Sequence, residues 1–182
     1  MIEFNSRWAF VAIVLVVGIQ RLVELRISSR HERLLRAQGA LEAGREHYPW
    51  IVALHTGLLV SSILEVWIFN RPFLPILALI MAMFMLDATA LRYWTIVTLG
   101  ERWTTRVIYL PGSKVVTQGP FRFLKHPNYL AVMIETVALP MLHTAWLTAL
   151  AFGVMNALLL RQRIRVEEAA LREHTDYSEA LP

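Results

Sequence analysis

The sequence of 182 residues contains no cysteine and has few charged residues. Without cysteine, the chain cannot form disulfides, thiolate metal sites or a cysteine nucleophile. Charged residues make up 18% of the chain and hydrophobic residues 56%, which exceeds the roughly 45–50% of an average soluble domain. The charged residues cluster between long apolar runs, a distribution that is typical of an integral membrane protein.

Other kinds of site are also missing from the sequence. No G-x-G-x-x-G segment links a strand to a helix, so a soluble-type dinucleotide site is not expected. His31, His47 and His174 are isolated in polar segments, and we predict no metal. The net charge is +4, but the basic residues flank the apolar runs. This position favours membrane orientation over nucleic-acid binding, so we predict no nucleic-acid partner.

The first apolar run has the appearance of a signal peptide, because it begins at Trp8 directly after Arg7. No small-residue cleavage site follows it. Instead, Gln20, Arg21 and Glu24 continue a helical pattern. The sequence therefore predicts a membrane helix that is retained in the mature protein.

Five apolar runs predict an all-α integral membrane protein with about five transmembrane helices, since one span needs about 20 mostly apolar residues. The runs are residues 8–27, 50–69, 73–99, 129–142 and 146–160. Pro72 fits the first turn of the third helix, with Asn70 as its N-cap. The last two runs are short, and Pro140 limits the first of them, so we expect a tight helical hairpin. Residues 1–182 are predicted to form one domain.

The distribution of lysine and arginine predicts the orientation in the membrane. With five spans, the polar segments 28–49, 100–128 and 161–182 all lie on one side. Together with the adjoining helix ends they hold fifteen of the 18 basic residues, against Arg7 and Arg71 on the other side and Arg92 within the third helix. The positive-inside rule then places the N-terminus outside and the C-terminus in the cytoplasm.

Two polar segments carry residues that are suited to a binding site. The first ends in a basic, proline-punctuated run that enters the fourth helix, residues 119–129. The second continues the fifth helix past the membrane and places Arg163 and Glu167 four residues apart on one face. Taken singly, each segment has a structural alternative: interfacial anchoring for the first, and a solvated amphipathic helix for the second.

Taken together, these segments resemble the isoprenylcysteine carboxyl methyltransferase family, whose signature is Arg-His-Pro-x-Tyr, a hydrophobic stretch and then Glu-Glu. The matching residues are Gly119-Pro120-Phe121-Arg122, Lys125-His126-Pro127-Asn128-Tyr129 and Glu167-Glu168. The resemblance extends over about residues 99–177. The N-terminal part is similar to a bacterial subgroup that methylates polyketide-derived lipids such as alkylpyrones and phenolic lipids. That likeness rests on Glu24-Leu25-Arg26, His47-Tyr48, and His55 ahead of Glu65.

The resemblance implies S-adenosylmethionine-dependent methyl transfer to an oxygen of a lipidic substrate. It places the cytoplasmic loop and the C-terminal helix around the cofactor. By this resemblance, the cofactor-binding residues are His126 and Tyr129, the nearby Gly119-Pro120 turn, and the pair Glu167 and Glu168. Arg163 would face the substrate oxygen. The implied acceptor is either the carboxylate of a prenylated cysteine or the hydroxyl of a polyketide-derived lipid.

The sequence departs from the family pattern at two places, in the first motif and in the segment after Leu171. Lys125 stands where the family has arginine, so a cation is kept but bidentate geometry is lost. After Leu171 the family's Phe-Gly pair is absent, and Tyr177 receives no role. The lid that the tail forms is therefore expected to differ.

The ionisable and amide residues within the spans have two interpretations each. His55 lies at active-site depth and is a candidate catalytic residue, with an interhelical hydrogen bond as the alternative. Asp87 and Arg92 are expected to pair with other helices, and Glu65 to be structural. Two residues are left open: Glu135, which would border the cofactor pocket, and Asn156, which would bind the fourth helix or the adenine. Charges at such depth usually face an interior or a cavity.

Two other functions remain open from the sequence. Membrane sterol reductases resemble this helical core, and Arg161, Arg163 and Arg165 would serve to bind the 2′-phosphate of a nicotinamide cofactor. A non-catalytic membrane scaffold is the second alternative, in which the polar residues serve folding alone.

Overall fold

The computed structural model describes the backbone of residues 2–180 and the side chains of residues 5–178. The chain is mostly helical, as the sequence predicts. The helices are α1 (Ile2–Ala37), α2 (Tyr48–Ile68), α3 (Pro75–Leu99), α4 (Pro127–Met141), α5 (Trp146–His174) and the short α6 (Tyr177–Ala180). Two strands, β1 (Leu41–Ala43) and β2 (Val107–Tyr109), pair antiparallel with Glu42 opposite Ile108. This small sheet departs from the all-α prediction, and it satisfies the backbone of two loops that meet there.

Three helical segments in the described part of the chain are long and apolar enough to cross a membrane. They are Asn5–Ala37, Arg45–Ile68 and Pro75–Arg102. The prediction of a membrane protein is therefore confirmed, although α1 continues well past its predicted end at residue 27. Helix α4 is short, with 15 residues, and α5 is long, with 29 residues. The continuation of α5 beyond its apolar part, to His174, agrees with the sequence.

The predicted start of the third helix is wrong. Helix α3 begins at Pro75, and the residue before it, Leu74, provides no side-chain cap. Asn70 does not cap this helix; it has a positive φ of 49° and accepts a hydrogen bond from Arg7 at 3.0 Å. The chain turns sharply after α2, where the Arg71 N–H donates to the carbonyl of Val66 at 3.2 Å. The turn occupies the residues that the sequence assigned to the helix start.

The three polar segments pack against one another at one end of the helices. The backbone N–H of Thr105 donates to Ser28 Oγ at 2.8 Å, and the N–H of Gly112 donates to the carbonyl of His174 at 2.8 Å. Glu42 forms ion pairs with Arg36 and Arg106. Burial acts to raise the pKa of Glu42, but the hydrogen bonds from the two arginines outweigh it, and the pKa is lowered. These contacts frame one end of the molecule, where the candidate site lies.

At the opposite end of the structure, Glu65 of α2 caps the start of α5. Its carboxylate accepts hydrogen bonds from the backbone N–H groups of Leu147, at 3.1 Å, and Thr148, at 2.6 Å. Helix α5 follows Ala145, which has no side chain that can cap it, so Glu65 of α2 satisfies the free N–H groups of its first turn. Arg71 pairs with the same carboxylate at 2.7 Å. Glu65 is structural, as expected.

A buried ionic cluster joins α1, α3 and α4. Arg92 donates to Glu135, Arg21 donates to Glu135 at 2.9 Å, and Arg21 also pairs with Glu24. Because each charge has a partner, the cluster can lie within the helical bundle. The expected interhelical pairing of Arg92 is confirmed. The prediction of an interhelical partner is wrong for Asp87, which is exposed and has no ion pair within residues 5–178.

Candidate functional site

The histidine–proline turn and the paired glutamates meet at the end of the bundle where the polar segments pack. His126 Nε2 donates to Glu168 Oε1 at 3.0 Å, and the Tyr129 hydroxyl donates to Glu167. The rings of His126 and Tyr129 stack with centroids 5.4 Å apart. Pro127 occupies the first turn of α4, where its missing N–H costs nothing. The start of α4 therefore presents both rings to the C-terminal half of α5.

Arg163 extends this contact toward the loop before β2. Its Nε donates to the Tyr129 hydroxyl at 2.8 Å, and its Nη2 donates to the carbonyl of Thr105 at 2.6 Å. The guanidinium also lies over the Tyr129 ring, 5.5 Å from the centroid. The result is a chain of cation, hydroxyl and carboxylate, from Arg163 through Tyr129 to Glu167, in which each group has a fixed orientation.

A polar chamber adjoins this chain of groups. It consists of two contiguous cavities of about 160 and 110 Å³ that share Tyr109, Phe121, Lys125, His126 and Glu167 among their lining residues. Two aromatic rings, a histidine, a lysine and a carboxylate thus surround one space. The sequence had singled out His126 and Glu167 but not Tyr109, whose only signal was its position in the long loop.

An apolar cavity of about 220 Å³ lies on the other side of Tyr129 and Arg163. Leu22 and Leu25 of α1 and Leu59 of α2 contribute to its apolar walls. Four residues line both this cavity and the polar chamber: Trp103, Asn128, Tyr129 and Arg163. The Tyr129–Arg163 pair therefore stands between a polar space and an apolar one.

His55 lines the apolar cavity. Its Nδ1 lies 2.8 Å from the carbonyl of Ile51 in the same helix. A carbonyl only accepts, so Nδ1 carries the hydrogen and Nε2 of the neutral ring is an acceptor. Nε2 has no hydrogen-bond partner among the described residues. The interhelical hydrogen bond considered as an alternative for His55 is not formed.

Charged residues of the ionic cluster also line the apolar cavity, namely Arg21, Glu24 and Arg92. The sequence analysis did not predict that Arg21 lines a cavity. The available signal was its spacing of three residues from Glu24 at the polar end of an apolar run, which is suited to an ion pair. Glu135 lies behind them and pairs with both arginines, and together with Glu24 it balances their two charges. Asn156 donates to Thr136 at 2.9 Å, so it binds the fourth helix, one of its two expected partners.

Three of the predicted cofactor residues lie outside the lining of the polar chamber. Gly119 has a φ of 57° and packs so closely on α3 that an added Cβ would lie 2.4 Å from Thr98 Oγ1. Pro120 is buried beside it, and together they turn the chain so that Phe121 reaches the chamber. Glu168 lies behind His126 and orients it. Their direct role in cofactor binding stays a prediction.

The C-terminal segment after α5 packs against the polar chamber beside Glu168, where Thr175 and Tyr177 line it. The hydrogen bond from His126, together with the charge of Arg172, holds the pKa of Glu168 below its usual range. Tyr177 is buried and lines the chamber, and its hydroxyl donates to Glu168 at 3.4 Å. Burial and the neighbouring carboxylate raise the pKa of Tyr177. Tyr177 is thus a site residue to which the sequence gave no role.

The described residues contain no group of three or more histidine, aspartate and glutamate side chains that is arranged to hold a metal ion.

Comparison with known proteins identifies the family. A model described as the isoprenylcysteine carboxyl methyltransferase family matches residues 79–173, which include α4 and nearly all of α5. The chain is 37% identical over 172 residues to the uncharacterized protein YpbQ of Bacillus subtilis, covering 92% of this chain and 98% of YpbQ. It is 30% identical over 152 residues to an uncharacterized protein of Haemophilus influenzae, covering 83% and 88%. The chain therefore belongs to the isoprenylcysteine carboxyl methyltransferase family, a family of membrane methyltransferases.

Proposed function

We propose that this protein is an O-methyltransferase that transfers a methyl group from S-adenosylmethionine to an oxygen of a lipidic acceptor at the cytoplasmic face of the membrane. The observation that carries the proposal is the shared wall of the two spaces. The polar chamber and the apolar cavity meet at Tyr129 and Arg163. A polar cofactor and a lipid can therefore approach one another there from different solvents.

The residues around the polar chamber fit S-adenosylmethionine chemically. The Glu167 carboxylate accepts hydrogen bonds from ribose hydroxyls or the amino group. Lys125 offers a cation to the carboxylate of the methionine part, and the faces of Tyr109 and Phe121 suit the adenine ring or the positively charged sulfur. When bound, this cofactor supplies an electrophilic methyl group whose carrier sulfur leaves as a neutral thioether.

His55 favours a hydroxyl as the acceptor group. A phenol or enol must lose its proton before it attacks, and the free Nε2 of His55 can accept that proton. The guanidinium of Arg163 can hold the resulting oxyanion and lower the pKa of the hydroxyl. A prenylcysteine carboxylate, with a pKa of about 4, is already ionised and needs no base. We therefore favour a polyketide-derived lipid over a prenylated cysteine.

A five-span topology accommodates this arrangement. In this proposal α4 and α5 cross the membrane as a hairpin, the N-terminus lies outside, and the three polar segments lie in the cytoplasm of a bacterial cell. The whole chain, residues 1–182, acts as one domain. The lipid tail of the acceptor then enters the apolar cavity from the bilayer, while the cofactor enters the polar chamber from the cytoplasm.

The three arginines that the sequence suggested for the reductase alternative do not face one space. A nicotinamide 2′-phosphate would be held by several cations that face one space. Arg163 lines the polar chamber, whereas Arg161 and Arg165 line a different surface on the outside of α4 and α5. The three arginines are therefore not arranged as a common phosphate site.

Binding of labelled S-adenosylmethionine to the purified protein tests the cofactor. We expect Glu167→Gln to weaken binding at least about tenfold, since a hydrogen bond to a charged group contributes about 1.5–3 kcal/mol. Glu173→Gln is the matched control, because Glu173 is on the same helix and 74% exposed, and it should bind normally. Equal affinity in both variants would contradict the proposed site. Absence of binding in the wild type would favour the scaffold alternative.

Lipid mass spectrometry with a His55→Gln variant tests the acceptor. Cells with the active protein should contain a lipid that is heavier by one methylene unit than its counterpart in cells without it. If the acceptor is a hydroxyl, loss of the base should slow methylation by about 10²–10⁴-fold while S-adenosylmethionine still binds. An unchanged rate would instead indicate an acceptor that is already ionised, such as a carboxylate.

A further inference from the structure

A second apolar depression lies on the outside of the α4–α5 hairpin. This outer groove has a volume of about 440 Å³ and is lined by Leu130, Met133, Ala157, Leu160 and Ile164, together with four polar residues. Leu130 and Ala157 are exposed, so the groove opens to the surroundings of the protein. It is distinct from the apolar cavity, which lies behind Tyr129 and faces α1 and α2.

Two arginines stand at the polar end of the outer groove. Arg161 and Arg165 are one helical turn apart on α5, and both line the groove and are exposed. Neither has an ion pair or hydrogen bond to any residue between 5 and 178. No aspartate or glutamate is among the groove's lining residues. The groove therefore combines an apolar floor with an uncompensated positive charge at one end.

The remaining polar lining residues are His126 and Tyr129. Both also line the polar chamber, so the groove reaches the back of the candidate cofactor site. The distance along α5 from Ala157 to Ile164 is about 10 Å, at about 1.5 Å per residue. This depth suits the upper part of an acyl chain whose head group lies at the membrane surface.

We infer that the outer groove binds one anionic phospholipid of the surrounding bilayer, with an acyl chain on the apolar floor and the phosphate at Arg161 and Arg165. Charge complementarity supports this occupant, because basic pockets between membrane helices on the cytoplasmic side bind anionic head groups. The apolar floor selects a lipid over a soluble phosphate. The site goes beyond the proposed methyl transfer, and it rests only on the proposed five-span topology, which places the α4–α5 hairpin in the bilayer.

Native mass spectrometry of the purified full-length protein tests the site. The protein in detergent is titrated with phosphatidylglycerol and with phosphatidylcholine of the same acyl chains, and the affinity for the first bound lipid is compared. We expect the wild type to prefer phosphatidylglycerol by about tenfold, and Arg161→Gln/Arg165→Gln to lose that preference. The readout involves neither S-adenosylmethionine nor an acceptor, so its outcome is independent of the proposed enzymatic function.

Arg26 and Arg30 provide a matched control for the charge. They are also exposed, four residues apart on a helix, and without a partner in the described part of the chain. Arg26→Gln/Arg30→Gln should keep the preference for phosphatidylglycerol. If this control loses as much preference as the groove variant, attraction to the general surface charge explains the binding and the site is refuted. A wild type without any preference would refute it as well.

A second pair of variants tests the apolar floor. Ala157→Phe fills the groove without a change in charge, and we expect it to reduce phosphatidylglycerol affinity about tenfold. Ala151→Phe places the same side chain at another exposed position of α5 outside the groove and should have no effect. Full affinity in Ala157→Phe, or equally strong binding of glycerol phosphate to the wild type, would show that no acyl chain occupies the groove.

Discussion

Tyr129 connects the two spaces of the candidate site through a single side chain. Its hydroxyl accepts from Arg163 Nε at 2.8 Å and donates to Glu167, while its ring stacks on His126. Because hydrogen bonds to charged groups are strong, loss of this hydroxyl leaves both Arg163 and Glu167 incompletely satisfied. This one oxygen atom therefore helps to orient both charged groups.

Tyr129→Phe is expected to weaken S-adenosylmethionine binding by about 10–100-fold, corresponding to about 1.5–3 kcal/mol for the lost charge-assisted hydrogen bonds. The ring is retained, so its stacking on His126 and its contact with the Arg163 guanidinium should persist. Isothermal titration calorimetry on the purified variant measures the change. Tyr93→Phe, at an exposed position of α3, is the control and should leave the affinity unchanged. A Tyr129→Phe variant with wild-type affinity would mean that the hydroxyl does not organise the site.

Glu168 is expected to make the free energy of unfolding of the protein dependent on pH. The hydrogen bond from His126, with the charge of Arg172, lowers the pKa of Glu168 in the folded protein, relative to about 4.3 in the unfolded chain. A carboxylate with a depressed folded-state pKa stabilises the fold above its unfolded-state pKa, and this contribution is lost as the pH falls through the folded-state pKa. Glu168→Gln should therefore lower the free energy of unfolding at pH 7 by about 1 kcal/mol.

Thermal unfolding in detergent at pH 7 and near pH 3 checks this dependence. The difference in melting temperature between the wild type and Glu168→Gln should be present at pH 7 and should narrow at the lower pH, where the wild-type carboxyl approaches neutrality. Glu173→Gln, at a largely exposed position of the same helix, should behave like the wild type at both values. A difference that stays constant with pH would assign the effect to packing and not to the charge.

At the level of elements, the turn between the long loop and α4 depends on Gly119. Its φ of 57° lies in the left-handed region, and an added Cβ would meet Thr98 Oγ1 at 2.4 Å. Gly112, in the same loop, has a φ of 73° but open space around the Cβ position. Gly112→Ala should therefore cost only the backbone strain, about 1–2 kcal/mol, whereas Gly119→Ala adds a steric clash of about 1–3 kcal/mol.

Melting temperatures of both variants test the packing of this turn on α3. Gly119→Ala should melt below Gly112→Ala, and Thr98→Ala in the Gly119→Ala background should restore part of the difference, because it removes the atoms nearest to the new methyl group. Equal losses in the two single variants would show that backbone conformation alone is limiting. If Gly119→Ala instead retained full stability but lost S-adenosylmethionine binding, the turn would be part of the cofactor site.

The sequence predicted elements well where their signal is local. Helix α2 was expected at residues 50–69 and extends over Tyr48–Ile68, because a long apolar run is itself the property that defines a span. The polar extension of α1 to Ala37 and the pairing of β1 with β2 were not predicted. Both depend on contacts between distant segments, such as Thr105 N–H with Ser28 at 2.8 Å, which no local pattern reveals.

The same division applies to the candidate site. The resemblance to the family motif predicted that His126 and Glu167 lie at one site, and both line the polar chamber. A motif can predict such proximity because its spacing reflects a shared geometry. The contact of Arg21 with Glu135 joins residues 114 positions apart, and the part that Tyr177 plays in closing the chamber depends on how the tail folds back. The sequence indicated that Arg92 is paired, but it did not name Glu135 as the partner, and it wrongly expected a pair for the exposed Asp87.

The arrangement of the whole molecule concentrates polar contacts at two ends. The segments that follow α1, α3 and α5 are joined by hydrogen bonds such as that from Gly112 to His174. The opposite end holds the Glu65–Arg71 ion pair and the turn between α4 and α5. The segments after α1, α3 and α5 thus share one end, which constrains the number of membrane spans that is compatible with the fold. Three spans and five spans both satisfy this condition, and they differ only in whether the α4–α5 turn reaches the outside.

The absence of cysteine makes this difference directly measurable, because a single introduced cysteine is the only thiol to label. Leu74 and Leu147 lie at exposed positions of the end that holds Glu65, and Gln38 lies at an exposed position of the other end. In right-side-out vesicles, a membrane-impermeant maleimide should label Leu74→Cys and Leu147→Cys and should label Gln38→Cys only after permeabilisation. If Leu74→Cys is labelled and Leu147→Cys is not, the protein has three spans, because the α4–α5 hairpin then stays on the cytoplasmic side. The reverse pattern, with only Gln38→Cys labelled, would invert the orientation and place the polar chamber away from the cytoplasmic cofactor.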